Sequence, residues 1–532
     1  MMRRHGYGQV WKENPKPFYF GHAPLASSGW HKLLFLALAM IAVYVVLDGI
    51  VTLVLFATLT HEQLSLPPAL AALETAIASA PVHVDNAEMR HLSYLNAVCT
   101  HEKDAVISWS YNSSTVDRAL VLTPETPTPI LVRALSDCPD IDVFLPSSIR
   151  DHGYCEDSMA YVKYLQARAL PEWVVDRTFL HGGKSFTYFD LCPRSAMLFL
   201  NHYWHDLPTR ADFPPDKPVV LMPNVEMYEL NADQYRRPDY ILAKTWDAYS
   251  RLTRWVDRHN ESSQALRTHG DTNQRLRLPK VRYTQHTSSD PTALVAKHVP
   301  KSFQHVSFVH ANGRSVHKST CAILDCWKAR PDLPPLVVLA KDDRSKAHYE
   351  SLFPQRQANV EYRHGADIDP SAFGEILAAA PVMLCPSAME GFGHYINQAR
   401  AAGALVATTD GLPMREFVDA SSGVLVDAEL FKPPVWSADF WSLGQEMGRH
   451  YKVAHHWRVG TGMEWTVSGR AICDAVDKIV AMSPRERQTK AAAGRMRYLQ
   501  QLKFFKAQML SFLTELRADE ERRILGGQPS PS

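Results

Sequence analysis

Charge of neither sign is in excess in this 532-residue chain: 57 Lys and Arg stand against 56 Asp and Glu, a formal charge of +1. A balance this even argues against nucleic acid as the main partner, because a polyanion-binding surface needs a basic surplus. Cysteine is also scarce, with 8 in the whole sequence. That is too few for a fold resting on a disulfide framework, and the sequence does not say which of them pair. Long apolar runs are confined to one place, and a mean hydropathy of −0.22 excludes a multi-pass membrane protein. No internal repeat or low-complexity tract is present. What remains is ordinary: 46% hydrophobic and 21% charged residues, which excludes a wholly disordered chain, collagen and a coiled coil. At about 100–200 residues per domain, the length predicts two to four domains.

The one long apolar run, Leu33 to Leu59, carries a single charge, Asp48. A span needs about 20 mainly apolar residues, so this run can cross a bilayer with tilt. Asp48 costs roughly 2.5–3.5 kcal/mol at the midplane and less near an interface, and the surrounding Leu, Val, Ile and Phe offset it. A buried core helix is one alternative. A signal peptide cleaved near Ala78-Ser79-Ala80 is another, though the run is long and a 32-residue leader precedes it. Arg3, Arg4, Lys12, Lys16 and Lys32 come before the run, and no Lys or Arg follows until Arg90. The positive-inside rule therefore puts the N-terminus in the cytoplasm and the remainder in the lumen. Sequons at Asn112 and Asn260 agree with that side. The expectation is a single-pass type II protein of the Golgi or endoplasmic reticulum membrane, with a cytoplasmic tail 1–32, a signal anchor 33–59 and a stem 60–98.

Past the stem, apolar runs alternate with helical patterns. Strands are expected at Ala105–Trp109, Trp173–Phe179, Ala196–Leu200 and Pro218–Met222, then at Gln304–Val309, Leu336–Leu339, Val360–Arg363, Val382–Cys385 and Leu405–Thr408. Helices are expected at Ser158–Ala169, Tyr240–Asp257, Thr320–Arg330, Ser371–Ala379 and His394–Ala402. Alternation of this kind predicts an α/β fold with doubly wound parallel sheets. A polar stretch at 259–279 separates two blocks, so two Rossmann-like domains facing a cleft are expected, at 99–285 and 286–480. Residues 483–520 place Tyr498, Leu502, Phe505, Met509 and Phe512 near helical spacing. The terminal segment 481–532 is therefore expected to hold a helix bracing both domains, followed by a disordered tail.

The segment from Val382 to Asp410 carries the chemistry. A strand ends at Cys385, a loop holds Glu390, Gly391, Phe392 and Gly393, and a helix starts near His394. In open α/β sheets ligands bind beyond the strand carboxyl ends. Gly391 and Gly393 permit close backbone approach, and the helix start offers free N–H groups to a phosphate. Upstream, a strand ending near His310 leads into the turn Gly313-Arg314-Ser315 and then Lys318.

Together with Pro386-Ser387, Ala399, Gly403, Thr409-Asp410 and Glu416, these motifs resemble the nucleotide-sugar glycosyltransferases of the GT-B fold. They resemble especially the C-terminal domain of the retaining glycosyltransferase family 4-like group (glycosyl transferases group 1). It covers 285–480 strongly and 150–260 weakly, where Pro223-Asn224-Val225-Glu226 and Lys244-Thr245 are similar to relatives' acceptor-side segments. The resemblance implies transfer of a sugar from a nucleotide-diphosphate sugar, the co-substrate, to a glycan or glycoconjugate with retention. It implies no cofactor and no metal, because Lys318, Arg314 and the helix dipole neutralise the leaving diphosphate. Glu390 would hold sugar hydroxyls and stabilise charge at the anomeric carbon, with donor contacts from Gly313, Ser315, Gly391, Phe392, Gly393 and His394. One position departs. Eight residues after Glu390 the family has a glutamate that accepts from both ribose hydroxyls, and here Gln398 stands. An amide keeps one acceptor oxygen without charge assistance, so Gln398→Glu is expected to keep or lower the donor KM.

The acceptor side is less determined. Asn224 and Glu226 follow a strand end; Glu226 is a candidate acceptor-activating base, and a surface-loop carboxylate is the alternative. His181-Gly182-Gly183 is a candidate mobile loop over the site. His310 reads equally as a satisfied core histidine. Gly183-Lys184-Ser185 fails as a phosphate loop because Thr178 stands where the first glycine belongs. Asp140-Ile-Asp142 and Asp367-Ile-Asp369 have the form used by metal-dependent GT-A enzymes but follow no long apolar strand. Cys321 and Cys326 lack a second pair for zinc. Two other functions stay open: a catalytically inactive GT-B protein binding nucleotide sugar or glycan, and a cytosol-facing enzyme acting on a lipid-linked sugar.

Overall fold

The computed structural model describes residues 39–40, 43, 66–81, 85–111, 121–226, 230, 232–267, 278–296, 301–365, 368–430 and 464–526. The expected anchor 33–59 lies outside them except at three positions, as do the tail 1–32, the sequon at Asn112, Asp367 and the last residues from 527. No helix among the described residues is long and apolar enough to cross a membrane. Residues 1–65 and 66–532 are separate compact units, and the second contains everything that follows.

The helices that matter here are α1 (Asn86–His101), α2 (Tyr154–Tyr164), α3 (Trp246–Arg267), α4 (Thr320–Ala329), α5 (His394–Ala401), α6 (Gly469–Ala481) and α7 (Pro484–Gly526). The first sheet is built from β1 (Val106–Ser108), β2 (Val121–Leu122), β3 (Ile141–Phe144) and β4 (Arg168–Leu170). A separate hairpin, β5 (Phe179–His181) and β6 (Lys184–Phe186), interrupts the chain before β7 (Ala196–Leu200), β8 (Val219–Met222), β9 (Tyr240–Ala243) and β10 (Lys280–Tyr283). The strand order is β10-β9-β8-β7-β3-β4-β1-β2. Neighbours from β10 to β4 run parallel, and β1 lies antiparallel to β4 and β2. Strands β7, β8 and β9 are continuous apolar runs with every residue buried, as central strands covered on both faces must be.

The second sheet holds β11 (Phe308–Gly313), β12 (Leu336–Ala340), β13 (Val360–His364), β14 (Val382–Cys385), β15 (Leu405–Thr409) and β16 (Gly423–Val426). All neighbours are parallel in the order β13-β12-β11-β14-β15-β16. This is the doubly wound order, with its direction reversing between β11 and β14. The first sheet reverses between β3 and β7. Apolar clusters cover both faces of each sheet.

Helix α7 spans both halves. Phe505, Met509, Phe512, Leu513 and Leu516 pack into the core of the first sheet, and Tyr498, Leu499 and Leu502 pack with Met89 of α1 and Ala401 of α5. The segment expected as a stem contributes to that core, because Met89, Leu92 and Leu95 of α1 are buried. Disulfides join Cys99 to Cys155, Cys138 to Cys192 and Cys326 to Cys473, leaving thiols at Cys321 and Cys385.

Four expectations about elements need correction. Ser158–Ala169 is not one helix: α2 runs Tyr154–Tyr164, and Arg168 and Ala169 belong to β4. The strand expected at Gln304–Val309 starts only at Phe308 and runs on to Gly313. Trp173–Phe179 is not a strand: Glu172–Asp176 is a short helix that buries Val174 and Val175, and β5 begins only at Phe179. A short apolar run cannot tell one helical turn from a strand. Tyr240–Asp257 is not one helix either. Its first four residues form β9, and α3 starts at Trp246 after the polar break Lys244-Thr245.

Candidate active site

The two reversal points face one another across a cleft of about 890 Å³. Residues after β3, β7, β8 and β9 line one wall, and those after β11, β12 and β14 line the other. The second wall is built for an anion. Gly313 ends β11 at φ +59° and opens a turn in which the Ser315 hydroxyl accepts from His317 N at 3.3 Å. The turn delivers Arg314 and Lys318 to the cleft. The Lys318 ammonium pairs with the Glu390 carboxylate and lies 4.1 Å from the centre of the Tyr395 ring. The Ser387 hydroxyl, just past β14, also donates to Glu390.

Gly393 caps α5 at φ +82°, a conformation that costs glycine little and other residues more. The first turn of α5 carries no acidic residue, whereas α2, starting on the opposite wall, carries Glu156 and Asp157 there. The free N–H groups and partial positive charge at the α5 start are therefore open to an anion, and those of α2 are not.

Behind this wall His310 is fully buried with both ring nitrogens engaged, by Leu384 O at 2.8 Å and Thr320 Oγ1 at 3.0 Å. Burial pushes it down to about 4. It is a satisfied core histidine rather than a site residue.

Asn224 and Glu226 sit past β8 directly against Gly391. A Cβ at position 391 would stand 2.5 Å from both Asn224 Oδ1 and Glu226 Oε1, so a glycine is needed where the walls meet. Asn224 Oδ1 and Glu226 Oε2 are buried and have no partner among the described residues. Burial pushes the Glu226 carboxyl up to about 8, against the pull of Lys244. A carboxyl raised this far exchanges its proton much nearer to neutral pH than a free one does.

Lys244 Nζ lies 2.8 Å from Asp157 Oδ1, and His394 Nε2 approaches the same oxygen at 3.0 Å. Burial works to raise the Asp157 carboxyl, but Lys244 and His394 outweigh it and hold it below the usual carboxylate range. The other nitrogen of His394 meets Ser288 Oγ at 2.8 Å. Asp157, His394 and Ser288 thus have the connectivity of an acyl-transfer triad, but Ser288 is fully buried and no substrate reaches its hydroxyl. Donor atoms of Asp157, His286 and His394 lie within 4.8 Å of one another, close enough to hold a cation. The Lys244 ammonium already occupies that place beside Asp157, so a metal ion would face its repulsion.

Gln398 lines the cleft one helical turn beyond His394. Its Nε2 donates to Glu156 Oε1 at 2.8 Å. Glu416 is drawn into a bridge between the halves: it accepts from the first N–H groups of α3, Trp246 at 2.8 Å and Asp247 at 2.9 Å. Burial, with Asp247 nearby, pushes its carboxyl up to about 8.

The structure thus brings Gly313, Arg314, Ser315, Lys318 and the 390–394 loop to one wall, and Asn224 and Glu226 to the other. His181 is not with them. Gly182 and Gly183, at φ +59° and +73°, form the two-residue turn of the β5–β6 hairpin, the geometry in which both turn residues need positive φ. His181 is exposed there and does not line the cleft. Asn260 falls inside α3 rather than on a loop. Asp142 is a fully buried partner of Arg168 and Tyr188, and Asp369 caps a helix at Ser371 N, 2.8 Å away. Glu156, Asp157, His286 and Ser288 were missed by sequence reasoning. The signal available was position alone: Glu156 and Asp157 follow β3, and a strand carrying a buried aspartate did not read as one.

No protein-family model and no curated protein matches the chain. Among solved structures it is similar to the GtfA/B complex, at 12% identity and TM-score 0.36 over 64% of this chain and 65% of that one. The match to the pneumococcal O-GlcNAc transferase GtfA, in complex with UDP and GlcNAc, spans 64% of that chain at 13% identity and TM-score 0.35. Sucrose-phosphate synthase from Thermosynechococcus elongatus is 14% identical, with TM-score 0.41 over 66% of this chain and 84% of that one. For two of these three relatives, therefore, the chain spans less than two thirds of their length.

Proposed function

We propose that this chain is a nucleotide-sugar-dependent glycosyltransferase of the GT-B type. The observation that carries the proposal is the cleft itself: two doubly wound sheets meet at their reversal points, with an anion wall of Lys318, Arg314 and the α5 start facing Asn224 and Glu226. A donor diphosphate would lie on the anion wall, where Lys318 and Arg314 offset the charge that develops as the sugar leaves. Glu390, now paired with Lys318, would face the sugar and stabilise positive charge at the anomeric carbon. The acceptor would enter on the side of Asn224 and Glu226, across the cleft from the anion wall.

Retention of configuration accompanies this reading, with the acceptor's proton passing to a donor phosphate oxygen on the same face. It needs no metal, since two cationic side chains and a helix start do the charge work and Lys244 already neutralises Asp157. Activity should then survive EDTA; full loss restored by manganese would contradict it. The reading extends to a luminal enzyme anchored by 33–59. Three disulfides among the described residues fit an oxidising compartment, and protease protection in intact microsomes tests it. The function itself is tested by offering the full chain UDP-, GDP- and ADP-sugars and measuring nucleoside diphosphate release. Glu390→Gln should lower kcat by about 100-fold, the scale of losing one electrostatic stabiliser. Full turnover in that variant, with the fold intact, would remove the loop from the catalytic centre.

A further inference from the structure

We infer that Glu156 is a positioning residue that fixes which end of the Gln398 amide the cleft sees; the inference rests on the donor reading above. A glutamine amide has a donor end and an acceptor end, and rotation exchanges them. A carboxylate only accepts, so a carboxylate beside the amide selects its NH₂ end. Glu156 is that carboxylate, taking Gln398 Nε2 at 2.8 Å. It cannot turn away, because Oε2 accepts from Ser289 N at 2.9 Å and Oε1 from Ser289 Oγ at 2.5 Å. Asn96 of α1 donates to Oε1 as well. Three hydrogen bonds from two segments therefore hold one carboxylate, and the carboxylate holds the amide.

The consequence lies at the other end. The Gln398 carbonyl oxygen has no partner among the described residues, and Gln398 lines the cleft. It sits four residues past His394, about 6 Å along α5 from the start that receives a phosphate. In a nucleoside diphosphate the ribose hydroxyls lie at roughly that remove from the phosphates. A carbonyl oxygen has two lone pairs and can accept from both hydroxyls of a cis-diol. Donation of the NH₂ to a carboxylate polarises the amide and strengthens that acceptor. The carboxylate missing at position 398 is thus supplied from the opposite wall, one bond removed. It also reverses the expectation for Gln398→Glu, which would set a second carboxylate against Glu156.

The test is calorimetric titration of the full chain with UDP, GDP and ADP and with their 2′,3′-dideoxy counterparts. The wild-type chain should bind the diphosphate it accepts about tenfold or more tighter than the dideoxy form, the scale of one or two hydroxyl contacts. Glu156→Gln removes the charge without changing shape, and should reduce that ratio to about threefold or less while dideoxy affinity, which reports an intact site, stays within about twofold. The exchanged pair Glu156→Gln with Gln398→Glu should regain the wild-type ratio, because an acceptor faces the ribose again. A wild-type ratio in Glu156→Gln, or an exchanged pair that does not recover, overturns the assignment of Glu156 and leaves the donor reading standing. A wild-type chain that binds none of the three diphosphates at millimolar concentration removes both.

Discussion

Glu226 shows how burial changes what a carboxyl can do at the pH of a reaction. Its neighbours are Asn224, Gly391 and, through charge, Lys244. Burial pushes it up to about 8, so any step that needs the carboxylate should strengthen as pH rises through about 8. If Glu226 takes a proton from the acceptor, kcat/KM rises along a limb near that value and Glu226→Gln abolishes the limb. A flat profile between pH 6 and 9 would give it no proton-transfer role. Lys318→Ala is the second residue-scale prediction. Loss of one charge-assisted phosphate contact should weaken nucleoside diphosphate binding by about 1.5–3 kcal/mol, read by calorimetry. Gln398→Glu, taken alone, should raise the donor KM, since like charges 2.8 Å apart are disfavoured. The sequence motif predicts the opposite, because it shows position 398 without the glutamate that reaches it from α2.

Among elements, the strand–turn–helix units after β11 and β14 were legible in the sequence. Strand β14 is a short apolar run stopped by Pro386, and β11 ends at Gly313, which fixes where its turn must fall. The units of the first sheet were harder to see. Strand β3 holds Asp142 and β4 holds Arg168, a buried bidentate pair at 2.9 Å, and polar residues inside a strand break the pattern that marks one. Missing β3 meant missing the start of α2, and with it Glu156 and Asp157. Gly391→Ala tests how tightly these elements are set. Its Cβ would enter at 2.5 Å from Asn224 Oδ1 and Glu226 Oε1, so kcat should fall while thermal stability changes little; unchanged turnover would show that the walls separate freely. The Cys326–Cys473 bond ties α4 to α6 across 147 residues. On the chain-entropy account, replacing both cysteines with alanine should cost up to about 5 kcal/mol, seen in denaturant unfolding.

At the scale of the whole molecule the sequence foretold two doubly wound halves and a terminal helix, because both depend on periodicity. It could not foretell what crosses between them. The Glu416 cap on α3, the Gln398–Glu156 contact and the His394–Asp157 contact each join residues at least 160 positions apart, and no spacing rule relates them. These crossings also carry a pH signature. Glu226 and Glu416 are both raised from 4.5 to about 8 in the fold. A raised acid binds its proton more tightly when folded, so its stabilising share is full below 4.5 and is lost as pH climbs through about 8. Melting temperature should therefore fall from pH 5 to pH 8.5, and Glu226→Gln should flatten that slope; an unaltered slope would place the titration elsewhere.

The central claim is that a nucleoside diphosphate lies between the two reversal points, on the anion wall. Hydrogen exchange read by mass spectrometry on the full chain, with and without saturating UDP, GDP or ADP, locates it directly. The account predicts slowed exchange in peptides covering Gly313–Lys318 and Glu390–Gln398, and no such slowing in Lys318→Ala at the same concentration. Protection confined to other segments, or none in those two while a diphosphate is demonstrably bound, would contradict it.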